Sequence, residues 1–124
     1  MRGIIVFAHG SRVESANDAV RAVAADLARA SGNRVEAAFL ELGQPDLPGA
    51  AARLVTAGAT EITVVPYFLT LGLHMERDLP PLIAQISNSY NGLSIAVTMP
   101  LDGHPALVQA LLDRAMSASH STKS

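Results

Sequence analysis

The sequence predicts an α/β domain: a four-stranded parallel sheet in the order 2-1-3-4 with helices on both faces, a three-layer sandwich. Three observations carry this. Strand-like and helix-like segments alternate four times along the chain, and successive βα units build a parallel sheet. The run Ile4-Ile5-Val6-Phe7-Ala8 is continuously apolar and rich in β-branched residues, as a strand buried on both faces requires. Right-handed crossovers with helices on both sides then favour the doubly wound closure.

Each element has its own signal. After the first strand, Ser11-Arg12-Val13-Glu14 has the spacing of a capping box. Ala16, Val20, Val23, Ala24 and Leu27 then fall on one helical face, and Ser31-Gly32-Asn33 closes that helix. Residues 35–40 read as the second strand. Gln44-Pro45-Asp46 opens the second helix, with Pro48 in its first turn and Gly58 as its stop. Ile62 to Pro66 is the third strand, ended by its proline.

A loop is expected from Tyr67 to Arg77, with Asp78-Leu79-Pro80-Pro81 starting the third helix on a face of Leu79, Leu82, Ile83 and Ile86. Leu93 to Val97 is the fourth strand. His104-Pro105 opens the fourth helix, whose inner face is expected to be Ala106, Leu107, Ala110, Leu111 and Arg114. Met75 and Met116 read as gap fillers in the core. One domain over residues 1–116 is expected, with a small polar tail at 117–124.

Composition removes several function classes. The chain has 124 residues, 49% of them hydrophobic, and 21 of the total are alanine. A domain of this size buries enough surface to fold without disulfides or structural metals. Nine Lys+Arg against eleven Asp+Glu, with a single lysine, argue against a nucleic-acid binder, which would carry a basic face. Zero cysteines exclude disulfides, thiol catalysis and iron–sulfur ligation. The five-residue apolar run near the N-terminus is shorter than a secretory core or a membrane span, so a cytoplasmic protein without membrane attachment is expected.

In a doubly wound sheet, ligands bind beyond the carboxyl ends of the strands, where the strand order reverses. The residues delivered there are His9-Gly10-Ser11-Arg12, Glu41, the segment through His74-Met75-Glu76, and Asp102-Gly103-His104. Three of the four histidines thus fall on one rim. Each also has an ordinary reading: His9 as a structural imidazole bonded to a loop carbonyl, His74 as an exposed loop residue, His104 as a neighbour of a helix cap. Neutral imidazoles with a carboxylate suit divalent cobalt, nickel, iron or zinc, and two histidines leave open positions for water or a substrate nitrogen. Gly10-Ser11-Arg12 before a helix could cradle an anion but lacks the spacing of a nucleotide-binding loop.

His9-Gly10-Ser11-Arg12, Phe39-Leu40-Glu41, Pro66-Tyr67-Phe68-Leu69, Gly72-Leu73-His74 and Asp78-Leu79-Pro80 together resemble the class II tetrapyrrole chelatases, in particular the short, single-domain sirohydrochlorin cobaltochelatases of the CbiX type. The resemblance covers about residues 3–115, and residues 66–80 are its specific part. It implies a chelatase-like, flavodoxin-like sandwich and insertion of a divalent metal into sirohydrochlorin without ATP. Cobalt, in the cobalamin pathway, is the first expectation, with nickel or ferrous iron as others. No permanently bound cofactor is expected, because the metal is a substrate.

On this resemblance His9 and His74 match the metal-binding histidines, and Glu41 matches the acidic residue after the second strand. One histidine would take a proton as it releases metal, and Glu41 would orient a histidine or accept a second proton. Ser11, Arg12 and Arg77 are the expected contacts to the substrate's carboxylates. A carrier that binds metal or tetrapyrrole without catalysing insertion would need the same ligands and is the alternative. One small lobe offers a macrocycle only a rim, so a homodimer whose two rims face each other across the substrate is expected.

Overall fold

A computed structural model describes residues 1–120; of the tail expected at 117–124, residues 121–124 lie outside the described part. The elements follow one another as β1 (Arg2–Ala8), α1 (Glu14–Ser31), β2 (Arg34–Phe39), α2 (Leu47–Thr56), β3 (Glu61–Pro66), α3 (Leu73–Ser89), β4 (Ser94–Val97) and α4 (Pro105–Met116). All strand pairs are parallel and the order is β2-β1-β3-β4, as the alternation of segments predicts.

β1 lies at the centre because its apolar run can face core on both sides. Ile5 and Phe7 point into one layer with Ile62 and Val64, beneath Leu47, Ala50, Ala51 and Leu54 of α2 and Met75, Leu79 and Ile86 of α3. Val6 and Ala8 point the other way, with Ala37, Phe39 and Ala24 of α1. The alanines let α1 and α2 approach the sheet closely, and Leu54 packs against Gly3 so tightly that a Cβ there would lie 3.0 Å from its Cδ1.

Three local expectations are corrected. The α1 capping box does not form: Val13 is the N-cap without a side-chain bond, while Ser11 Oγ accepts from the Val13 N–H at 3.0 Å. Ser11 is drawn elsewhere by a bond described below. The buried stripe of α1 also runs through Asn17 and Ala24 rather than Ala16, which is exposed.

The third helix begins at Leu73, not Asp78, with Gly72 as N-cap; Pro80 and Pro81 lie inside it. The two prolines forgo bonds to the carbonyls of Glu76 and Arg77, and these four residues are exposed, so water can take those carbonyls. A buried stripe of Met75, Leu79 and Ile86, with Leu82 and Ile83 half-buried, runs continuously through the prolines and holds the helix together. Met75 is the core filler expected of it.

The fourth helix starts where expected but buries nothing. Leu107 is half-buried, and the remaining residues of its expected inner face are exposed, as is Met116 at 77%. It does not cover the sheet.

Candidate functional site

The rim at the carboxyl ends of the strands is built from four segments that are laced together by main-chain hydrogen bonds. Beyond β1 and β2 the pairing continues: Leu40 N–H donates to Ala8 O at 2.9 Å and Glu41 N–H to His9 O at 3.1 Å. Tyr67 N–H donates to Phe7 O at 2.7 Å, tying the segment after β3 to the central strand. Leu101 and Asp102 N–H donate to Phe68 O and Leu69 O at 3.2 and 2.8 Å, tying the segment after β4 to that one.

His9 is exposed at the head of β1, and its ring lies against Phe68, with centroids 4.7 Å apart and planes tilted by 39°. Phe68 in turn meets Phe7 edge-on at 6.2 Å. The imidazole is therefore steered by an aromatic wall rather than by a bond to a loop carbonyl, and its nitrogens face outward from that wall.

The next residue, Gly10, has φ of 91°, and a Cβ built on it would fall 1.7 Å from the carbonyl oxygen of Glu41. Only glycine permits that close approach. It is what brings His9 and Glu41 side by side in the backbone. The Glu41 side chain is exposed.

Ser11 is held by Asn17, a residue that the sequence reading passed over. Asn17 is 1% exposed. Its Oδ1 accepts from Ser11 N–H at 2.9 Å, and its Nδ2 donates to Ser11 O at 2.8 Å, to Leu42 O at 3.0 Å and to Glu14 Oε2 at 3.3 Å. One amide thus clamps the segment after β1 to the segment after β2. A signal was present: Asn17 is a polar residue on the apolar stripe with Val20, Ala24 and Leu27, and such a residue must find partners.

Arg21 extends the clamp outward. It donates to Glu14 Oε1 at 2.7 Å, to Asp18 Oδ1 at 2.8 Å and to Gln44 O at 3.0 Å, and its guanidinium lies 5.1 Å above the Phe39 ring. The bonds from Arg21 and then Asn17 lower the Glu14 pKa, and the Glu14 bond raises that of Arg21. Arg12 is exposed beside this network.

His74 sits in the first turn of α3 rather than in a loop, and it is exposed. Arg77 Nη2 lies 3.0 Å from its Nδ1. A guanidinium can only donate, so Nδ1 accepts and the ring's proton is on Nε2. Arg77 also approaches Asp78 Oδ1 at 3.5 Å.

His104 takes its ordinary role: it is the N-cap of α4, and its Nδ1 accepts from Ala106 N–H at 3.0 Å. Among the described residues no three His, Cys, Asp or Glu side chains converge on one point that could hold a metal ion. The rim therefore offers dispersed imidazoles with free coordination positions, a geometry for passing metal on rather than keeping it.

Comparison with known proteins gives concordant matches. The family model CbiX matches residues 3–118. A sirohydrochlorin cobaltochelatase of Sulfolobus acidocaldarius is 31% identical over 118 residues, covering 95% of this chain and 93% of that protein. The chloroplastic sirohydrochlorin ferrochelatase of Arabidopsis thaliana is 34% identical over 113 residues, 90% of this chain, and the match spans only 50% of that relative. The crystal structure of a CbiX protein from Marinobacter aquaeolei VT8 superposes with a TM-score of 0.81 at 28% identity, over 94% of this chain and 95% of that one.

Proposed function

The chain belongs to the CbiX family, and on that premise we propose that it is an enzyme inserting a divalent metal into sirohydrochlorin without ATP. The observation that carries this reading is the exposed His9 ring, steered by Phe68 and set beside the backbone of Glu41 on a rim that offers open coordination positions. Cobalt is the first choice of metal, because the cobaltochelatase of Sulfolobus acidocaldarius matches along nearly its whole length, whereas the ferrochelatase of Arabidopsis thaliana matches over half. Nickel and ferrous iron are the competing substrates, since imidazole and carboxylate ligands serve all three.

His9 and His74 bind the incoming ion and exchange it for the ring nitrogens of the macrocycle. An imidazole cannot hold metal and proton on the same nitrogen, so each becomes a proton acceptor as the ion leaves. For His74 this exchange is coupled to Arg77: a metal at Nε2 needs the proton moved to Nδ1, which displaces the guanidinium. Glu41 orients His9 or takes the second pyrrole proton. Ser11, Arg12 and Arg77 meet the substrate's carboxylates, with Arg77 changing partners as His74 is metallated.

The working unit is residues 1–116, acting as a cytoplasmic homodimer whose two rims close on the two faces of the macrocycle. No helix among the described residues is long and apolar enough to cross a membrane.

The test is anaerobic incubation of the protein with sirohydrochlorin and Co²⁺, Ni²⁺ or Fe²⁺, followed by absorbance. We expect metallation at least about tenfold above the protein-free rate, the effect of a modest amount of transition-state stabilisation. His9→Ala and His74→Ala, folded by circular dichroism, should each lose most of that gain. Binding of sirohydrochlorin or metal with no acceleration would establish a carrier instead.

A further inference from the structure

The sheet is covered unevenly. On the side of α2 and α3 the apolar residues of all the strands are packed. On the other side α1 covers β2 and β1, and then cover stops. Strand register puts Thr63 and Val65 of β3 and Ser94, Ala96 and Thr98 next to β4 on that same open side. Thr63 and Val65 are half-buried, and Ser94, Ala96 and Thr98 are exposed. A concavity of about 610 Å³ opens there, with Val65, Thr98, Met99 and Leu101 in its wall. Parallel sheets are normally covered on both faces.

The helix that should supply the missing layer is present but stands apart. Val108, Leu111, Leu112, Ala115 and Met116 recur at helical spacing and form one apolar stripe, yet four of them are 70, 69, 51 and 77% exposed at Val108, Leu111, Leu112 and Met116. Its root is tied down. The 98–104 segment is bonded to Phe68 and Leu69, His104 N–H donates to Leu101 O at 3.0 Å, and the His104 ring caps the first turn. These bonds direct α4 away from its own sheet.

We propose that a second copy of this chain supplies the missing layer, with α4 of each protomer seated on the open β3–β4 face of the other. Removing the four exposed side chains from water accounts for on the order of 500 Å² per helix, so two helices and the faces receiving them come to about 2,000 Å², the size of a stable interface. The exchange is reciprocal, as an isologous dimer requires. Because α4 leaves from the rim, the protomer that takes it is held beside the rim. The inference rests on the two-rim dimer proposed above and names the surface that makes it.

The chain's lack of cysteine makes a direct test simple. Ala96→Cys and Leu111→Cys are made on separate chains, one carrying a size tag, and the two are coexpressed and oxidised. Exchange predicts a reducible band of tagged joined to untagged chain. In a chain carrying both substitutions it predicts cross-linked dimer. An internally closed monomer would show α4 folding back on its own sheet, and no cross-link at all would show the face and helix never meeting; either result overturns the proposal. Light scattering separates this from the dimer reading itself. Wild type should be dimeric and Leu111→Asp/Leu112→Asp monomeric with unchanged helix content. A variant that stays dimeric overturns the exchange and leaves the two-rim dimer standing, and a monomeric wild type overturns both.

Discussion

Asn17 holds Ser11 by both of its main-chain groups, accepting from its N–H at 2.9 Å and donating to its carbonyl at 2.8 Å. A side chain in the first turn of α1 thereby performs the work of a strand neighbour for a segment that has none. The same amide reaches Leu42 O at 3.0 Å, so the positions of His9, Ser11 and Glu41 depend on a residue that touches no substrate.

Asn17→Ala should destabilise the fold by about 2–4 kcal/mol, because it leaves several buried polar groups without partners. Asn17→Asp should cost no less. It keeps the acceptor for Ser11 N–H but sets a carboxylate against two carbonyls and Glu14. Urea denaturation measures both, and an unchanged midpoint for either would show that the clamp is dispensable.

Gly10→Ala forces a Cβ to within 1.7 Å of the Glu41 carbonyl and strains a residue at φ of 91°. The expected loss is roughly 2–4 kcal/mol from the strained backbone and the forced separation of the two segments. The separation moves His9 away from Glu41, so metal insertion should fall further than the lost stability explains. Insertion rates measured well below the variant's melting temperature check this.

Glu14 has its pKa lowered in the fold by Arg21 and Asn17. The unfolded chain binds that proton more readily, so the group's contribution is present above its ordinary value of 4.5 and is lost as pH falls through the lower, folded value. Stability should therefore drop with acidification below that point more steeply in wild type than in Glu14→Gln. Denaturation midpoints across the acid range decide it, and parallel curves would remove Glu14 from the network.

Arg77→Ala frees Nδ1 of His74 and removes a positive charge from beside it. Affinity for Co²⁺ alone should rise about two- to fivefold, the scale of one exposed charge interaction. KM for sirohydrochlorin should rise at the same time, because a carboxylate partner is lost. Calorimetry with the metal and steady-state kinetics read the two effects separately, and a fall in metal affinity would contradict the competition at Nδ1.

Much of this was legible before folding. The apolar run 4–8, the cap at Asp46, whose side chain accepts from Gly49 N–H at 2.8 Å, and the left-handed stop at Gly32 are local signals, and each lies where its chemistry requires. Pro80 and Pro81 misled because proline at a helix start is the commoner pattern; the stripe of Met75, Leu79 and Ile86 running through them decided otherwise. The α1 face was displaced because Asn17 was weighed as polar and therefore outside, when its partners lie on segments 6 and 25 residues away in sequence.

By itself the sequence determined the order of elements, the parallel sheet and the rim on which the histidines gather, since these follow from periodicity, caps and the handedness of crossovers. The tertiary structure alone decided that Asn17 is inside, that His9 leans on Phe68, that Arg77 occupies a nitrogen of His74, and that α4 leaves its own sheet uncovered. All of these depend on contacts between segments remote in the chain. Periodicity shows that a helix has an apolar face, and only the packed molecule shows whether its own sheet is there to receive it.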